Sequence, residues 1–425
     1  ILSAAPAVSF STRGQLTTVT GDAEKSVANA NPFQLLQSYL TMKTTPLSQV
    51  PFCGGLLGYF GYDLGRQLES LPQMARQDIQ LPDMSVGLYP WAIVQDHQEC
   101  CAWLVVNESL AAAYNFSKIH ELCSQSGLDD RFHDFKLNLG FGRNSFKING
   151  FAAELNVDEY ANAIGKIQSY ITAGDCYQVN FAQRFSADCE GDSLSAYLEL
   201  RKALPSPFSA YMELPEGAIL SLSPERFVQV QQGLAETKPI KGTIARGVTS
   251  DEDKHNAHLL ANSLKDRAEN LMIVDLLRND LSKTCDTVAV PALFELQSFA
   301  NVHHLVSTVT GRLKTGKNAL DLLETCFPGG SITGAPKIRA MEIIEELEPV
   351  RRSLYCGSIG YISSCGNMDT NIAIRTLLRD GDRIYCWGGG GIVADSVMDT
   401  EYRESLAKVK LLMNTLEEAF RPRDN

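Results

Sequence analysis

The sequence predicts an α+β fold whose sheets are mostly antiparallel. Strand-like runs follow one another in groups, whereas a doubly wound parallel sheet would alternate them regularly with helices. Asp380-Gly381 separates two apolar runs, and this dipeptide suits the tight turn of an antiparallel hairpin. With 425 residues, of which 44% are hydrophobic, the chain is long enough to bury a large core.

Changes of composition along the chain predict two lobes and a connector. In the first lobe, short apolar strands such as 102–110 alternate with turn residues, and the stretch 54–66 is rich in glycine and aromatic residues, which suits close packing of backbones. A polar segment containing Gly and Asn predicts a surface connector before the second lobe. The expected boundaries are 1–123 for the first lobe, 124–150 for the connector and 151–425 for the second lobe.

The second lobe is expected to begin with a helix. Tyr160, Ile164, Ile167 and Ile171 fall on one face at helical spacing, and Gly174 suits the C-terminal stop. The elements expected after this helix are strands at 218–230, 235–243, 302–313 and 353–363, a long helix over roughly 253–278, the hairpin around 380–381, and a last helix over about 399–418.

The charge of the chain argues against two broad classes of partner. Its formal charge is −12 with scattered Lys and Arg residues, so we expect no basic surface for nucleic acid. Because an acidic protein repels anions at long range, a site for an anionic substrate would need its own positive charges. The apolar runs are too short to span a bilayer, so we expect no membrane association.

Cysteine usage and the first residue bear on location and completeness. The 11 cysteines are irregularly spaced and form no CxxC pair, which favours free thiols in a reducing cytoplasm over a disulfide framework. The seven His residues show no zinc spacing with them. Because the chain starts with Ile1 inside an expected element, we expect its native N-terminus to be missing.

Two pairs of carboxylates have helical spacing. Asp266 and Glu269 are three residues apart and share a helix face, as do Glu401 and Glu404, with Lys408 further along the second stripe. One interpretation is two solvated helix faces. The other is two helices that present carboxylates to one Mg²⁺ ion, which commonly takes one or two carboxylates and keeps several waters. Spacing alone does not show whether the two helices meet.

Lys241 and Glu225 are the candidate reactive groups. Lys241 lies in the stretch TKPIKGT, where a lysine is usually exposed and inert. If buried near a cation it would have a lowered pKa and could act as a nucleophile. Glu225 follows Pro224 and is either an ordinary acid at a strand end or, with a raised pKa, a general acid.

Two glycine-rich loops are candidates for binding anions. PGGSITGAPK at 328–337 has Ala335 where a phosphate loop needs Lys, and WGGGGIVADS at 387–396 lacks the last glycine of a dinucleotide fingerprint. Both loops could instead offer backbone N–H groups to a carboxylate, or be tight turns only. His303 and His304 lie in an expected strand and point to opposite faces, so at most one of them reaches a given site.

Taken together, these motifs resemble the chorismate-utilising enzymes. The second-lobe motifs follow the family's order over about 174–410: GDCYQVNFAQRF, SLSPERF, PIKGT, KDRAENLMIVDLLRND, VHHLVST, FPGGSITGAPK, GSIGY, MDTNIAIRT, GGGIVADS and EYRESLAKV. The first lobe is similar to the family through PFCGGLLGYFGYDLGR and LPDMSVGLYPWAIV. The resemblance implies two orthogonally packed, mostly antiparallel sheets flanked by helices, in a four-layer α/β/β/α arrangement.

The resemblance implies chorismate, a dianion, as substrate and Mg²⁺ as cofactor. It assigns Glu269 and Glu404 as direct metal ligands, with Asp266 and Glu401 acting through water; Asp266 stands where anthranilate synthases usually have Glu. The implied substrate contacts are Arg375 and Tyr355 at the pyruvyl carboxylate with Gly389 beside them, Lys408 near the ring carboxylate, and Thr333, Gly334 and Gln178 lining the site. His304 is expected to orient the substrate.

Two positions distinguish reactions within this family. Isochorismate and salicylate synthases have Lys where this chain has Gln178, and anthranilate synthases have Ala where it has Lys241. The PIKGT form therefore resembles the branch that aminates chorismate at C4 on the route to p-aminobenzoate and folate. The resemblance implies that Lys241 attacks ring C2 while Glu225 protonates the departing C4 hydroxyl, and that ammonia then adds at C4.

The resemblance also implies a partner. Ammonia is expected from a separate glutamine amidotransferase subunit, because the chain has no nucleophilic Cys motif with the downstream His and Glu of such a domain. Two alternatives stay open: anthranilate synthase component I, which Lys241 disfavours, and a non-catalytic ligand-binding subunit, which the intact acids disfavour.

Overall fold

Antiparallel sheets form the framework of the part of the chain that the computed structural model describes, residues 1–21, 25–40, 44–47, 49–111, 146–299 and 302–421. In chain order the strands are β1 Val8–Arg13, β2 Leu16–Gly21, β3 Lys25–Ala28, β4 Gly55–Phe60, β5 Met84–Tyr89, β6 Trp91–Asp96, β7 Cys101–Val106, β8 Phe146–Ile148, β9 Ala152–Ala153, β10 Gln178–Gly191, β11 Phe208–Leu214, β12 Gly217–Ser223, β13 Arg226–Gln231, β14 Leu234–Thr237, β15 Ile240–Ala245, β16 Cys285–Ser298, β17 Val302–Leu313, β18 Gly334–Ala335, β19 Ser358–Ser363, β20 Met368–Asn371, β21 Thr376–Asp380 and β22 Arg383–Ile392.

The helices of the described residues flank these strands. They are α1 Pro32–Tyr39, α2 Glu108–Ala111, α3 Val157–Ala173, α4 Ser193–Ala203, α5 Ser250–Ala261, α6 Leu264–Thr284, α7 Ala319–Cys326, α8 Lys337–Leu347 and α9 Met398–Phe420. The predicted α+β class is confirmed, since the strands pair antiparallel in both large sheets. No helix in the described ranges has the length and apolar character needed to cross a membrane.

The larger sheet contains strands from both predicted lobes. Its order is β15-β17-β14-β13-β20-β19-β4-β5-β1-β2-β3, with β16 also paired to β17. The two lobes meet where β4 pairs with β19 along its full length, from Gly55↔Ser363 to Phe60↔Ser358. The lobes are therefore joined by main-chain hydrogen bonds as well as by side-chain packing.

The smaller sheet has the order β11-β12-β21-β22-β10-β18, and β8 and β9 also pair with β10. The predicted hairpin at Asp380-Gly381 is confirmed as β21–β22, with Gly381 in the left-handed region at φ 60°. Strand β8 lies inside the predicted connector 124–150 and pairs with β10. Residues 124–145 lie outside the described residues.

Of the four hydrophobic clusters among the described residues, the two largest join helices to the sheets. The first combines inner-face side chains of both sheets with helices of the larger one, for example Tyr59 and Trp387 with Ile273 of α6. The second lies between the smaller sheet and helices α4 and α9, with Leu200 and Leu416 against Leu220. Helix α6 thus packs on the larger sheet and α9 on the smaller one.

The helix predicted to open the second lobe is confirmed as α3. Asn156 caps its N-terminus, since its side chain accepts from Glu159 N and Glu159 bonds back to Asn156 N. Gly174 ends it with a left-handed φ of 84°.

The single long helix predicted over 253–278 is wrong. The chain breaks into α5 and α6 because the Asn262 side chain bonds back to His258 O and Ser263 starts a new helix by accepting from Asp266 N at 3.2 Å. The break places Asp266 in the first turn of α6, where an acid is favoured by the helix dipole.

Three predicted strands are shorter than expected. The run 218–230 divides at Pro224-Glu225, and the run 235–243 divides at Lys238-Pro239, because proline has no N–H to donate to a ladder. The run 353–363 forms a strand only over β19, since Ser353 and Cys356 adopt positive φ values in a turn. The first division leaves Glu225 at a bend between β12 and β13, outside both ladders.

Candidate active site

Lys241 lies in a bulged part of β15. The pairing of β15 with β17 is irregular between Ile240 and Thr243, and Gly242 there has φ 81°. A Cβ on Gly242 would lie 2.8 Å from Leu260 and 2.9 Å from the Asp266 carboxyl carbon, so glycine is required where α6 approaches this strand. The close approach brings the acids of α6 next to Lys241.

Four charged groups, on α6, on α9 and at the bend between β12 and β13, act on Lys241. Burial lowers the pKa of Lys241, the Lys408 ammonium lowers it further, and the carboxylates of Glu269, Glu225 and Glu404 oppose this shift. A buried lysine with a lowered pKa has a larger neutral fraction, which is the nucleophilic form.

Glu225 has the complementary shift. Burial raises its pKa to about 7, against the opposing effects of Lys241, Lys408 and a hydrogen bond from Ser331. A carboxyl group with this pKa is protonated in part near neutral pH and can act as a general acid.

The four predicted metal-binding acids lie on two helices, α6 and α9, and charges on both helices act on Glu269. A Cβ on Gly390 would lie 3.3 Å from Glu401 Oε2 and 3.5 Å from Glu404 Oε1, so α9 sits directly on the glycine-rich strand β22. On α6, burial raises the pKa of Glu269, Lys241 opposes this, and the nearby negative charges of Asp266 and Glu404 add to it. Carboxylates of the two helices therefore lie near one another and near Lys241, as one of the two interpretations of the sequence required.

These acids are partly engaged with other side chains. Glu404 Oε1 lies 2.7 Å from Lys408 Nζ, and buried Glu401 accepts from Ser396 Oγ at 2.7 Å. Within the described ranges, no three His, Cys, Asp or Glu side chains are already arranged as a metal site. The donor set nevertheless fits Mg²⁺, because clustered carboxylate oxygens are the ligands this ion prefers.

Arg375 supplies positive charge on the other side of Glu225. Its backbone has φ 49°, a left-handed conformation that is rare for non-glycine residues and often found at functional sites. Burial lowers the pKa of Arg375, and Glu225 opposes the shift, so the two side chains interact. Tyr355 lies close to this segment, because Cys356 N donates to Ala373 O at 2.9 Å.

The prediction that His303 and His304 point to opposite faces of their strand is confirmed. His304 Nδ1 lies 2.8 Å from Thr243 Oγ1, and burial and the nearby Arg375 lower the His304 pKa. His303 faces away and is bonded to Ser298 at 2.7 Å and Asp253 at 3.0 Å. Only His304 is therefore placed to contact a molecule bound beside Lys241.

The remaining predicted residues line the same region through β10 and the 329–334 loop. Thr333 Oγ1 donates to Gly329 O at 3.0 Å, and Lys408 Nζ donates to Gly389 O at 2.7 Å. Gln178 is fully buried with neither amide atom hydrogen-bonded, and Gly334 packs against its carbonyl. Of the predicted site residues, Glu269, Glu404, Lys408 and Arg375 lie close enough to Lys241 or Glu225 to act on its pKa. The roles assigned to the site residues stay predictions.

The sequence reasoning missed two features of this site. Ser331 was quoted only as part of a loop motif, although it donates to Glu225. Trp387 was also passed over, yet it stacks on Tyr355 with ring centroids 5.7 Å apart and an interplanar angle of 8°. Ser331 could have been predicted to lie at the site, because it is two residues before Thr333.

Residues 2–414 match the family model described as chorismate binding enzyme. The chain belongs to the chorismate binding enzyme family. This match covers both predicted lobes and every site residue described above.

Two relatives that share one name match this chain over nearly its full length. The chain is 46% identical to aminodeoxychorismate synthase component 1 of Escherichia coli (strain K12) over 98% of this chain and 89% of that protein. It is 47% identical to the protein of the same name from Klebsiella aerogenes, over 98% of this chain and 90% of that protein.

The fold also matches a solved structure. The crystal structure of anthranilate synthase component I from Streptococcus pneumoniae TIGR4 superimposes with a TM-score of 0.84 at 31% identity, covering 97% of this chain and 91% of that one. The predicted fold of the chorismate-utilising enzymes is therefore confirmed.

Proposed function

We propose that this chorismate binding enzyme aminates chorismate at C4 to give 4-amino-4-deoxychorismate, for p-aminobenzoate and folate biosynthesis. The observation that carries the proposal is the shared site of Lys241 and Glu225, whose pKa values are shifted in opposite directions. The relatives named aminodeoxychorismate synthase component 1 support it, being more similar to this chain than the anthranilate synthase of known structure.

The first step is displacement of the C4 hydroxyl. The neutral amine of Lys241 attacks ring C2, the two conjugated ring double bonds move from C1=C2 and C5=C6 to C1=C6 and C4=C5, and Glu225 gives its proton to the C4 hydroxyl, which leaves as water. Arg375 and Lys408 offset the two substrate carboxylates in a protein whose net charge is −12. His304, held by Thr243, orients the substrate from the side.

The second step is addition of ammonia. Ammonia attacks C4, the two double bonds shift back, and the C2–N bond to Lys241 breaks, which restores the free amine. The new C4 ammonium gives a proton to the Glu225 carboxylate, which restores the acid. Because the lysine occupies C2 during the first step, nitrogen ends at C4 and not at C2. An enzyme with alanine at this position would leave C2 open, as the anthranilate branch requires.

We further propose Mg²⁺ as cofactor, held directly by Glu269 and Glu404 and through water by Asp266 and Glu401. When bound, the ion supplies positive charge that offsets a substrate carboxylate and the cluster of acids. Glu404 and Lys408 form an ion pair in the structure. Metal binding to Glu404 and substrate binding to Lys408 would replace this contact.

Mg²⁺ dependence is a direct prediction. Chelation should abolish amination and added Mg²⁺ should restore it, whereas Glu269→Gln should raise the Mg²⁺ concentration for half-maximal activity at least about tenfold. Calorimetric titration measures the loss of Mg²⁺ affinity in this variant directly, without turnover. Asp275→Asn, on the exposed side of α6 at 62% side-chain exposure, is the control and should behave as wild type. Equal Mg²⁺ affinity of the Glu269 variant and the control would exclude Glu269 as a ligand.

The pH profile is a second prediction. Lys241 must be neutral, so activity should fall on the acid side as it becomes protonated. Glu225 must be protonated, so activity should fall above about pH 7, the pKa to which burial raises it. Single-turnover adduct formation without ammonia gives a bell-shaped profile whose limbs belong to the coupled pair. Adduct formation that keeps rising well above pH 7 would remove Glu225 from the role of acid.

We propose that ammonia comes from a separate glutamine amidotransferase subunit and that the protein works in the cytoplasm. The first part is supported by the relatives' designation as component 1. The second is supported by the cysteines of the described ranges, which are free thiols.

The deciding experiment supplies chorismate, ammonium and Mg²⁺ and identifies the product by mass spectrometry and retention time. A C4-amino product supports the proposal. Aromatic anthranilate would assign the chain to the alternative amination at C2, and unchanged chorismate would assign it to a ligand-binding role.

A further inference from the structure

A fully buried ion pair lies beneath the site without taking part in the proposed chemistry. Arg352 and Glu348 have side-chain exposures of 1% and 4% and are joined twice, at 2.6 Å from Nη2 to Oε1 and at 2.9 Å from Nε to Oε2. Burying such a pair is costly, and hydrophobic residues often stabilise a core at least as well. Its presence here is therefore better explained by what it holds in place.

The pair connects two segments that line the site. Arg352 donates to Ile332 O at 3.0 Å and to Asn180 O at 2.6 Å, and Glu348 accepts from Ala182 N at 2.9 Å. The 329–334 loop is in this way fixed against β10. Four hydrogen bonds from one rigid, planar guanidinium make these contacts at once, which a lysine ammonium with three donors cannot do.

The loop so fixed carries two groups of the proposed site, Thr333 and Ser331. Thr333 follows Ile332 directly, and its carbonyl accepts from Asn180 N at 2.8 Å. Ser331, whose carbonyl accepts from Asn180 Nδ2 at 3.4 Å, donates its hydroxyl to Glu225.

Tyr355 depends on the same arginine. Its backbone N–H donates to Arg352 O at 2.9 Å, and the guanidinium lies 5.8 Å from the centre of its ring. The other face of the cluster is closed by Tyr62, whose ring centre is 4.8 Å from the guanidinium.

We propose that Arg352 and Glu348 are positioning residues that set the distance between the 329–334 loop, β10 and Tyr355, and through them the fit of the bound substrate. The inference rests on the proposed function, because it takes the substrate to be chorismate. The pair itself touches no reacting atom, so it acts on substrate affinity and turnover through Thr333, Ser331 and Tyr355.

The test compares two arginines in matched environments. Arg184 is also buried, at 4% exposure, donates twice to Asp78 at 2.7 and 2.8 Å, and lies 4.8 Å from the ring of Tyr385. It occupies β10 four residues beyond Asn180, away from the loop. Arg352→Lys and Arg184→Lys should therefore cost stability through the same kind of loss, and only the first should disturb the site.

Both variants and the wild type are measured for thermal midpoint, for chorismate affinity by calorimetry with Mg²⁺, and for kcat and KM. We expect both variants to melt earlier, and Arg352→Lys alone to lose on the order of tenfold or more in chorismate affinity with a further fall in kcat. Equal affinity of Arg352→Lys and wild type, or equal losses in both variants, would overturn the inference.

A second variant covers the case in which Arg352→Lys does not fold. Glu348→Gln keeps the shape and one acceptor oxygen, and it should show the same loss of chorismate affinity; wild-type affinity in this variant would also overturn the inference. Failure of the wild type to bind chorismate would be a failure of the proposed function, and it is seen separately in the same titrations.

Discussion

Lys241→Ala should reduce amination of chorismate at least about 1000-fold, because the covalent route loses its nucleophile. Burial of the ammonium is itself unfavourable and lowers its pKa, so the alanine variant should keep its thermal midpoint. Intact folding together with lost turnover is the combined result expected for a residue that serves chemistry and not stability.

Mass spectrometry gives the more direct readout. Wild-type protein incubated with chorismate and Mg²⁺ but without ammonia should gain the mass of chorismate minus water on Lys241, and the variant should gain nothing. Lys238→Ala is the control, since Lys238 lies three residues earlier in the same motif and pairs with Glu236. Normal C4 amination by the Lys241 variant would show that no covalent intermediate is needed.

Glu225→Gln should lower turnover by about 100- to 10,000-fold, because the amide cannot protonate the departing hydroxyl. The substitution keeps the shape of the side chain at the bend between β12 and β13, so chorismate binding should remain. The adduct on Lys241 should form slowly or not at all, since expulsion of water precedes or accompanies its formation.

Rapid-quench kinetics of adduct formation separate this effect from weaker binding. The limb of the pH profile above about pH 7 should disappear in Glu225→Gln, because the raised pKa of Glu225 causes it. Glu216→Gln, in the turn at the opposite end of β12 and paired with Arg13, should be indistinguishable from wild type. A Glu225 variant that forms the adduct at the wild-type rate would place the general acid elsewhere.

Much of this site followed from local patterns in the sequence. Three-residue spacing placed Asp266 with Glu269 and Glu401 with Glu404 on shared helix faces, and strand alternation separated His303 from His304. These predictions hold because they depend on the geometry of one element. The hairpin at Asp380-Gly381 was predictable for the same reason.

What the sequence could not supply were distances between elements. The approach of α6 to Lys241 depends on Gly242, whose lack of a side chain matters only once Asp266 is packed against it. The break between α5 and α6 depends on Asn262 and Ser263 bonding to nearby backbone, where a continuous helix was expected. Helix propensity alone favoured one continuous helix over this stretch. The side-chain hydrogen bonds of Asn262 and Ser263 instead end one helix and begin the next.

The sequence also did not predict which groups the buried charged side chains contact. Glu348 and Arg352 are four residues apart, which suggests an exposed helix pair, yet both are buried and reach β10 and the 329–334 loop. Lys408 was expected near the ring carboxylate and is bonded to Glu404 and Gly389 O in the structure. Such contacts arise from tertiary packing, and no periodicity in the sequence encodes them.

The pairing of β4 with β19 limits how the two lobes could be separated during evolution. Cutting between the lobes would expose two long strand edges at the middle of one sheet, and such edges invite aggregation. The first lobe is thus not a detachable module that recombination could exchange or that a shorter gene could omit. Sequence drift in either half is constrained by the other, because the two halves share one sheet and one hydrophobic core.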